Sequence, residues 1–166
     1  MRFVKTVCIV LLCVMMTSAA ATAAGQPSHA RAFIARLREK ELKYRVDESS
    51  SDKVVVHLDF TGKNAKNIPV TAIFNRNDTE EIAFRVWDFV HVPKDKADRA
   101  CRTVNEVNRT YKLCAFTFDE DNGTVDVELD VIVRADSAGA VSYEALTRLV
   151  KICDDGYPQL MKYLWN

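Results

Sequence analysis

His57 and Asp59 stand two residues apart in the alternating run Lys53 to Phe60, so both side chains leave the same face of a strand. A histidine beside a carboxylate is the geometry of a general base and its orienting group. The pair is therefore the candidate for a small hydrolase-like site. No Ser or Cys nucleophile follows a strand–turn–helix elbow, and an exposed polar strand face gives the same pattern. Asp119-Glu120-Asp121-Asn122-Gly123 has the composition of a calcium loop. Placing Gly123 at the loop glycine puts Phe118 and Leu129 where the ion requires carboxylates, so the tip is expected to be a solvated acidic turn. Of five cysteines, Cys8 and Cys13 lie in the N-terminal apolar segment, leaving Cys101, Cys114 and Cys153. Their spacing fits no zinc pattern. Each occupies an apolar position of its element, as a free buried thiol would, with one disulfide among the three as the alternative. No catalytic, cofactor or metal site is expected.

Binding is the better-supported chemistry. The segment Glu81 to Val90 puts Ile82, Phe84, Val86 and Val90 on one face of a strand and Ala83, Trp87 and Phe89 on the other, interrupted by Arg85 and Asp88. A strand apolar on both faces needs two covers. The second could be a helix of the same chain, a dimer partner or a bound peptide. Aromatic residues favour interface cores, so Trp87 and Phe89 are the candidate partner-binding residues, joined by Trp165 near the C-terminus. Packing under the C-terminal helix is the competing explanation.

The elements that position these residues follow from periodicity. Ala30 to Leu42 reads as a helix with Ala30, Phe33, Ile34 and Leu37 on one face and Ser28 as its cap. Strands are expected at 44–46, 53–60, 70–75 and 80–92, with Pro69 able only to open the third. A second helix spans 94–110, its inner face carrying Ala97, Ala100, Cys101, Val104, Val107 and Asn108. A buried Asn must find partners, so Asn108 is expected to bond backbone near the helix end, with Asn105 assisting. The strands 112–119 and 124–134 form a hairpin about Asn122-Gly123. A last helix begins near Ser142, and Gly156 and Pro158 are expected to kink or divide it. Strands in series with helices packed on the sheet make the fold class α+β, an antiparallel β-sheet backed by N-terminal, central and C-terminal helices.

Arg2 and Lys5 precede ten apolar residues, Val7 to Met16, followed by small residues to Gly25. Ten residues make about 15 Å of helix. A bilayer core needs roughly 20, so the run is a cleavable export signal rather than an anchor. Cleavage is expected near Ala23 or Ala24. Residues 1–24 are then the signal peptide and residues 25–166 one periplasmic or secreted domain. Losing Arg2 and Lys5 from 23 basic and 23 acidic residues leaves a net charge of about −2, which does not suit nucleic acid. No later apolar run is long enough for a membrane anchor.

The second half resembles a known family. The stretch Val104-Asn105-Glu106-Val107-Asn108, then Ala115-Phe116-Thr117-Phe118, an acidic Gly turn, Val125 to Val131 and finally Tyr157-Pro158 is similar to the bacterial YbjN-type domain. That family carries a VNxxN helix end, a Phe-rich hairpin and a C-terminal "YP" turn. The resemblance covers about 135 residues, and it brings no catalytic residues to carry over. It implies a fold like that of type III secretion chaperones, a role in bacterial sensing or regulation, and structural roles for Asn105, Asn108, Tyr157 and Pro158. An export signal is a departure from its cytoplasmic members. The expected function is thus an exported, non-enzymatic, chaperone-like binding module of the cell envelope with a protein or peptide partner, homodimerisation included. A structural periplasmic protein without a specific ligand is the blander alternative.

Overall fold

A computed structural model describes residues 25–78 and 80–165. Residues 1–24, the expected export signal, lie outside the described residues. Helix α1 is Ser28–Glu39; strands β1 (Arg45–Asp47), β2 (Lys53–Phe60), β3 (Ile68–Asn75) and β4 (Glu81–His91) follow. A 3-10 turn at Lys94–Lys96 leads into α2 (Ala97–Thr110). Then come β5 (Ala115–Asp119), β6 (Thr124–Ile132) and α3 (Ala138–Trp165). The strands form one sheet in the order β1-β2-β3-β4-β6-β5, antiparallel throughout, so the α+β class holds.

Period-2 alternation decides which face is core. Val54, Val56, Ala72, Phe74, Ile82, Phe84, Val127 and Leu129 are buried on the helix side. Phe33 of α1 meets Phe74 and Phe84 there, at centroid distances of 5.4 and 5.8 Å. Helix α3 lies beside α1, and Gly139 permits the approach: a Cβ there would stand 2.8 Å from the Ala32 carbonyl oxygen. This contact explains why α3 starts at Ala138 rather than near Ser142. Ala138 and Gly139 look like poor helix material alone, but small residues are what a close helix pair requires. Ser142, fully buried within the helix, bonds the Ala138 carbonyl.

Helix α1 also differs from its expected span. It begins after Pro27, and Ser28 makes no capping bond. It ends in a Schellman turn, in which the Glu41 N–H donates to the Arg38 carbonyl and the Leu42 N–H to the Leu37 carbonyl. Glu41 occupies the left-handed position at φ 55°, so Leu42 leaves the helix and packs behind it. Pro69 sits second in β3, not first. β4 pairs with β3 only from Thr71 onward, so no ladder bond to β4 is lost at Pro69.

The largest departure is at Pro158. The helix runs unbroken through it. Proline removes the amide that would bond the Asp154 carbonyl. Asn64, from the β2–β3 loop, donates its Nδ2 to that carbonyl instead, at 3.1 Å. The Asp154 carboxylate in turn accepts the N–H groups of Lys63 (3.0 Å), Asn64 (2.7 Å) and Ala65 (2.9 Å). Gly62 makes room: a Cβ there would meet the Asp154 carboxylate oxygen at 2.2 Å. A loop of backbone donors thus clasps one turn of α3 and supplies what Pro158 took away.

These amides, Ala65 foremost, hold the Asp154 carboxyl below the usual carboxylate range. A depressed native pKa contributes stability above the unfolded value of about 3.9, lost as pH falls through the native one. Asp154→Asn is therefore expected to lower the urea midpoint at pH 7, with the gap from wild type closing below about pH 4. A gap that stays constant with pH would show that the carboxylate's charge does not contribute.

Candidate functional site

The helices seal one face of the sheet and leave the other open. Strand register lays out that open face in rows. One row runs across all six strands: Arg45, His57, Thr71, Arg85, Glu128 and Ala115. The adjacent row is Asp47, Val55, Ile73, Ala83 and Asp130. Val55, Ile73 and Ala83 are half-buried by their neighbours, and Thr71 is buried among longer side chains. Arg85 crosses the centre, bonding Asp130 at 2.6 Å and approaching Glu128 at 4.0 Å. Two large apolar side chains stand out at the margins, Trp87 at 46% and Ile132 at 71% exposure.

Trp87 and Phe89, expected on one face, are separated. Between Val86↔Val127 and Val90↔Val125 the β4 strand has three residues where β6 has one. Asp88 takes up the excess at φ 54°, and its N–H donates to Asp126 Oδ1 at 2.9 Å. This bulge interrupts the alternation at Phe89, while Val86 and Val90 on either side keep the same face. Phe89 turns to the helix side, is 8% exposed, and meets Tyr157 edge-on at 5.8 Å. It is a core residue, which corrects its assignment to a partner surface. Trp87 remains on the open face. Trp165, 44% exposed, lies over the Lys96 ammonium at 4.1 Å, while Lys96 also donates to the Leu164 carbonyl at 2.9 Å. Its ring is engaged within the chain, fastening the end of α3. The half-buried Tyr157 supports Phe89, and Pro158 is exposed on α3.

His57 and Asp59 do share the open face. A concavity of about 630 Å³ lies over them, lined also by Lys43, Arg45, Pro69 and Thr71. Thr71 Oγ1 is 3.3 Å from His57 Nδ1. Partial burial, and then the nearby Arg45 charge, lower the imidazole pKa. The geometry nonetheless differs from a hydrolytic site. Thr71 lies in mid-strand between β2 and β4, where backbone amides belong to the ladder and are not grouped to receive an oxyanion. The hydrolase-like pairing is thus a polar patch on an open sheet. All three described thiols are free; burial pushes Cys114 up to about 12 and raises Cys153 as well, which makes these two poor nucleophiles, while the half-buried Cys101 donates to Glu120 Oε1 at 3.7 Å. At the acidic hairpin tip, Asp119 accepts the N–H groups of Asp121 (2.9 Å) and Asn122 (3.0 Å), so its carboxylate closes the turn. Among the described residues no cluster suited to a metal ion is present.

Asn108 does what a seventh strand would do. Its Nδ2 donates to the Phe116 carbonyl and its Oδ1 accepts the Phe116 N–H, both at 2.8 Å. The outward backbone groups of edge strand β5 are thereby closed at that point, a protection edges need. Asn105 is exposed and makes no such bond. Truncation to Asn108→Ala orphans both Phe116 groups, so a loss of about 1–3 kcal/mol is expected in urea unfolding. A near-neutral result would mean water replaces the amide.

A family model described as "Putative bacterial sensory transduction regulator" (YbjN) matches residues 37–160, and the chain belongs to that family. No curated protein and no solved structure matched it.

Proposed function

We propose that this member of the YbjN family is an exported binding module of the cell envelope that pairs through the open face of its sheet with a second copy of itself. The observation that carries the reading is the uncovered face, with apolar Val55, Ile73 and Ala83 at its middle and Trp87 exposed at its margin, beyond the row that holds Arg85. Its charges are suited to a two-fold partner. Asp126, Glu128 and Asp130, the last bonded to Arg85, line the β6 flank, while Lys43, Arg45 and Lys53 lie toward β1 and β2. On that basic flank the Asp47 carboxylate is taken by the Ser49 N–H at 2.9 Å, and Asp59 remains. A two-fold axis along the strands, between β3 and β4, brings each acidic flank over the partner's basic one. It also sets Ile73 opposite Ala83.

Size agrees. Six strands about 4.8 Å apart and about eight residues long present on the order of 650 Å² before side chains add relief. A stable interface buries about 800 Å² per partner. The export signal supports an envelope location. Among the described residues no helix is long and apolar enough to cross a membrane.

Light scattering after size exclusion is expected to give a dimer mass, weakened at least tenfold by Trp87→Ala with an unchanged circular-dichroism melt. If Trp87→Ala unfolds, the residue is core and the reading loses its anchor. A wild-type chain that stays monomeric excludes the second copy and leaves a different protein as the occupant. Mass spectrometry of the protein from the envelope fraction is expected to find a mature start at Ala24 or Gly25. Recovery of the intact chain from cytoplasm would overturn the export reading.

A further inference from the structure

The helix-covered face holds a group that belongs to neither surface. His29, in the first turn of α1, is 1% exposed, and both of its ring nitrogens lack a hydrogen-bond partner. Its ring stands edge-on to Phe74 at 5.2 Å and so heads an aromatic chain, His29–Phe74–Phe33–Phe84. Buried polar atoms without partners are rare and call for a reason.

A proton on this ring would meet three penalties at once. The imidazolium would be buried with one weak acceptor near it, the Glu81 backbone carbonyl. It would sit at the positive end of the α1 dipole, in a first turn that contains no acidic residue. The charged groups on the surrounding elements are, moreover, already engaged. Asp78, the carboxylate that acts on the ring, accepts the N–H groups of Glu80 (2.9 Å) and Glu81 (3.2 Å) in the β3–β4 turn. Arg76 donates to the Gly25 carbonyl, and Arg31 to the Gln26 carbonyl. Glu80 is exposed, and the Glu81 backbone carbonyl, which favours a proton on the ring, does so by less than burial opposes it.

We propose that His29 is an acid-sensitive latch: neutral, it seats the first turn of α1 on the sheet, and protonated, it releases that turn and uncovers the aromatic chain beneath. The proposal stands on the burial and unpartnered nitrogens of this side chain and is independent of what docks on the open face. Burial, opposed only in part by Asp78 and by the Glu81 backbone carbonyl, lowers the ring's pKa in the folded chain. The released state therefore binds the proton more readily. The seated state is lost as pH falls from the free value of about 6.5 toward the folded one, at about tenfold per pH unit.

Amide hydrogen exchange of the purified protein between pH 7 and pH 5, corrected for intrinsic rates, tests this directly. Protection across residues 28–39 is expected to fall about tenfold per unit below pH 6.5 in the wild type, while β2 to β4 hold. His29→Phe and His29→Leu, two apolar replacements of different shape in case one packs poorly, are expected to abolish that slope. Protection that stays level or rises on acidification would mean Asp78 captures the imidazolium in place, and overturns the latch. So would an equal slope in both variants, or loss of the slope in Asp78→Asn with His29 intact.

Discussion

A sheet has two faces, and this chain has helices for one. Every other feature depends on how tightly α1 and α3 close that face. The two helices must lie side by side over four central strands, which is why Gly139 meets the Ala32 carbonyl without a side chain between them. Under them Phe33, Phe74 and Phe84 pack ring to ring. Each such ring contributes about 1.5–3 kcal/mol by leaving water. With α1 and α3 committed there and α2 lying against β5 and α3, no described helix remains for the opposite face. The open face is thus a direct consequence of the closed one.

Close packing leaves backbone groups stranded where regular structure is interrupted, and short polar side chains meet them. Asn108 replaces a missing neighbour strand at β5. Asn64 replaces the amide that Pro158 lacks, and Asp154 gathers the three loop amides that bring Asn64 within reach. Asp126 accepts the amide released by the β4 bulge. In each case one amide or carboxylate does what a ladder or helix bond would have done, so the chain tolerates an edge, a proline and a bulge. Among the described residues His29 is an exception, shared only with the Arg36 Nε, since nothing answers its ring nitrogens.

The same logic separates the aromatic residues that serve the core from those that remain free. Phe89 and Trp165 are engaged inside the chain, by Tyr157 and Lys96. Trp87 is not, and it stands exposed at the margin of the open face. The interaction surface is therefore a mixed plane, with apolar residues at mid-sheet and acidic and basic flanks. A hydrophobic strip along one strand, as the alternation of β4 suggests, is not what forms.

What the sequence determined by itself was everything that repeats locally. Alternation in β2 and β6, the helical stripes of α1 and α2 and the Asn-Gly turn each depend on neighbours a few residues away, and their periods are written in the chain. The inward position of Asn108 was legible for the same reason, and its need for partners followed from burial. The tertiary structure alone decided matters resting on contacts distant in sequence. Phe89 could not be assigned because its direction depends on a bulge set against Asp126 in another strand. Pro158 read as a break because its remedy comes from Asn64, whose bond to the Asp154 carbonyl spans ninety residues of chain. Gly139 read as a poor helix start because its value lies in the neighbouring helix. Periodicity reports which side of an element is apolar; only packing determines what lies against that side, and whether anything does.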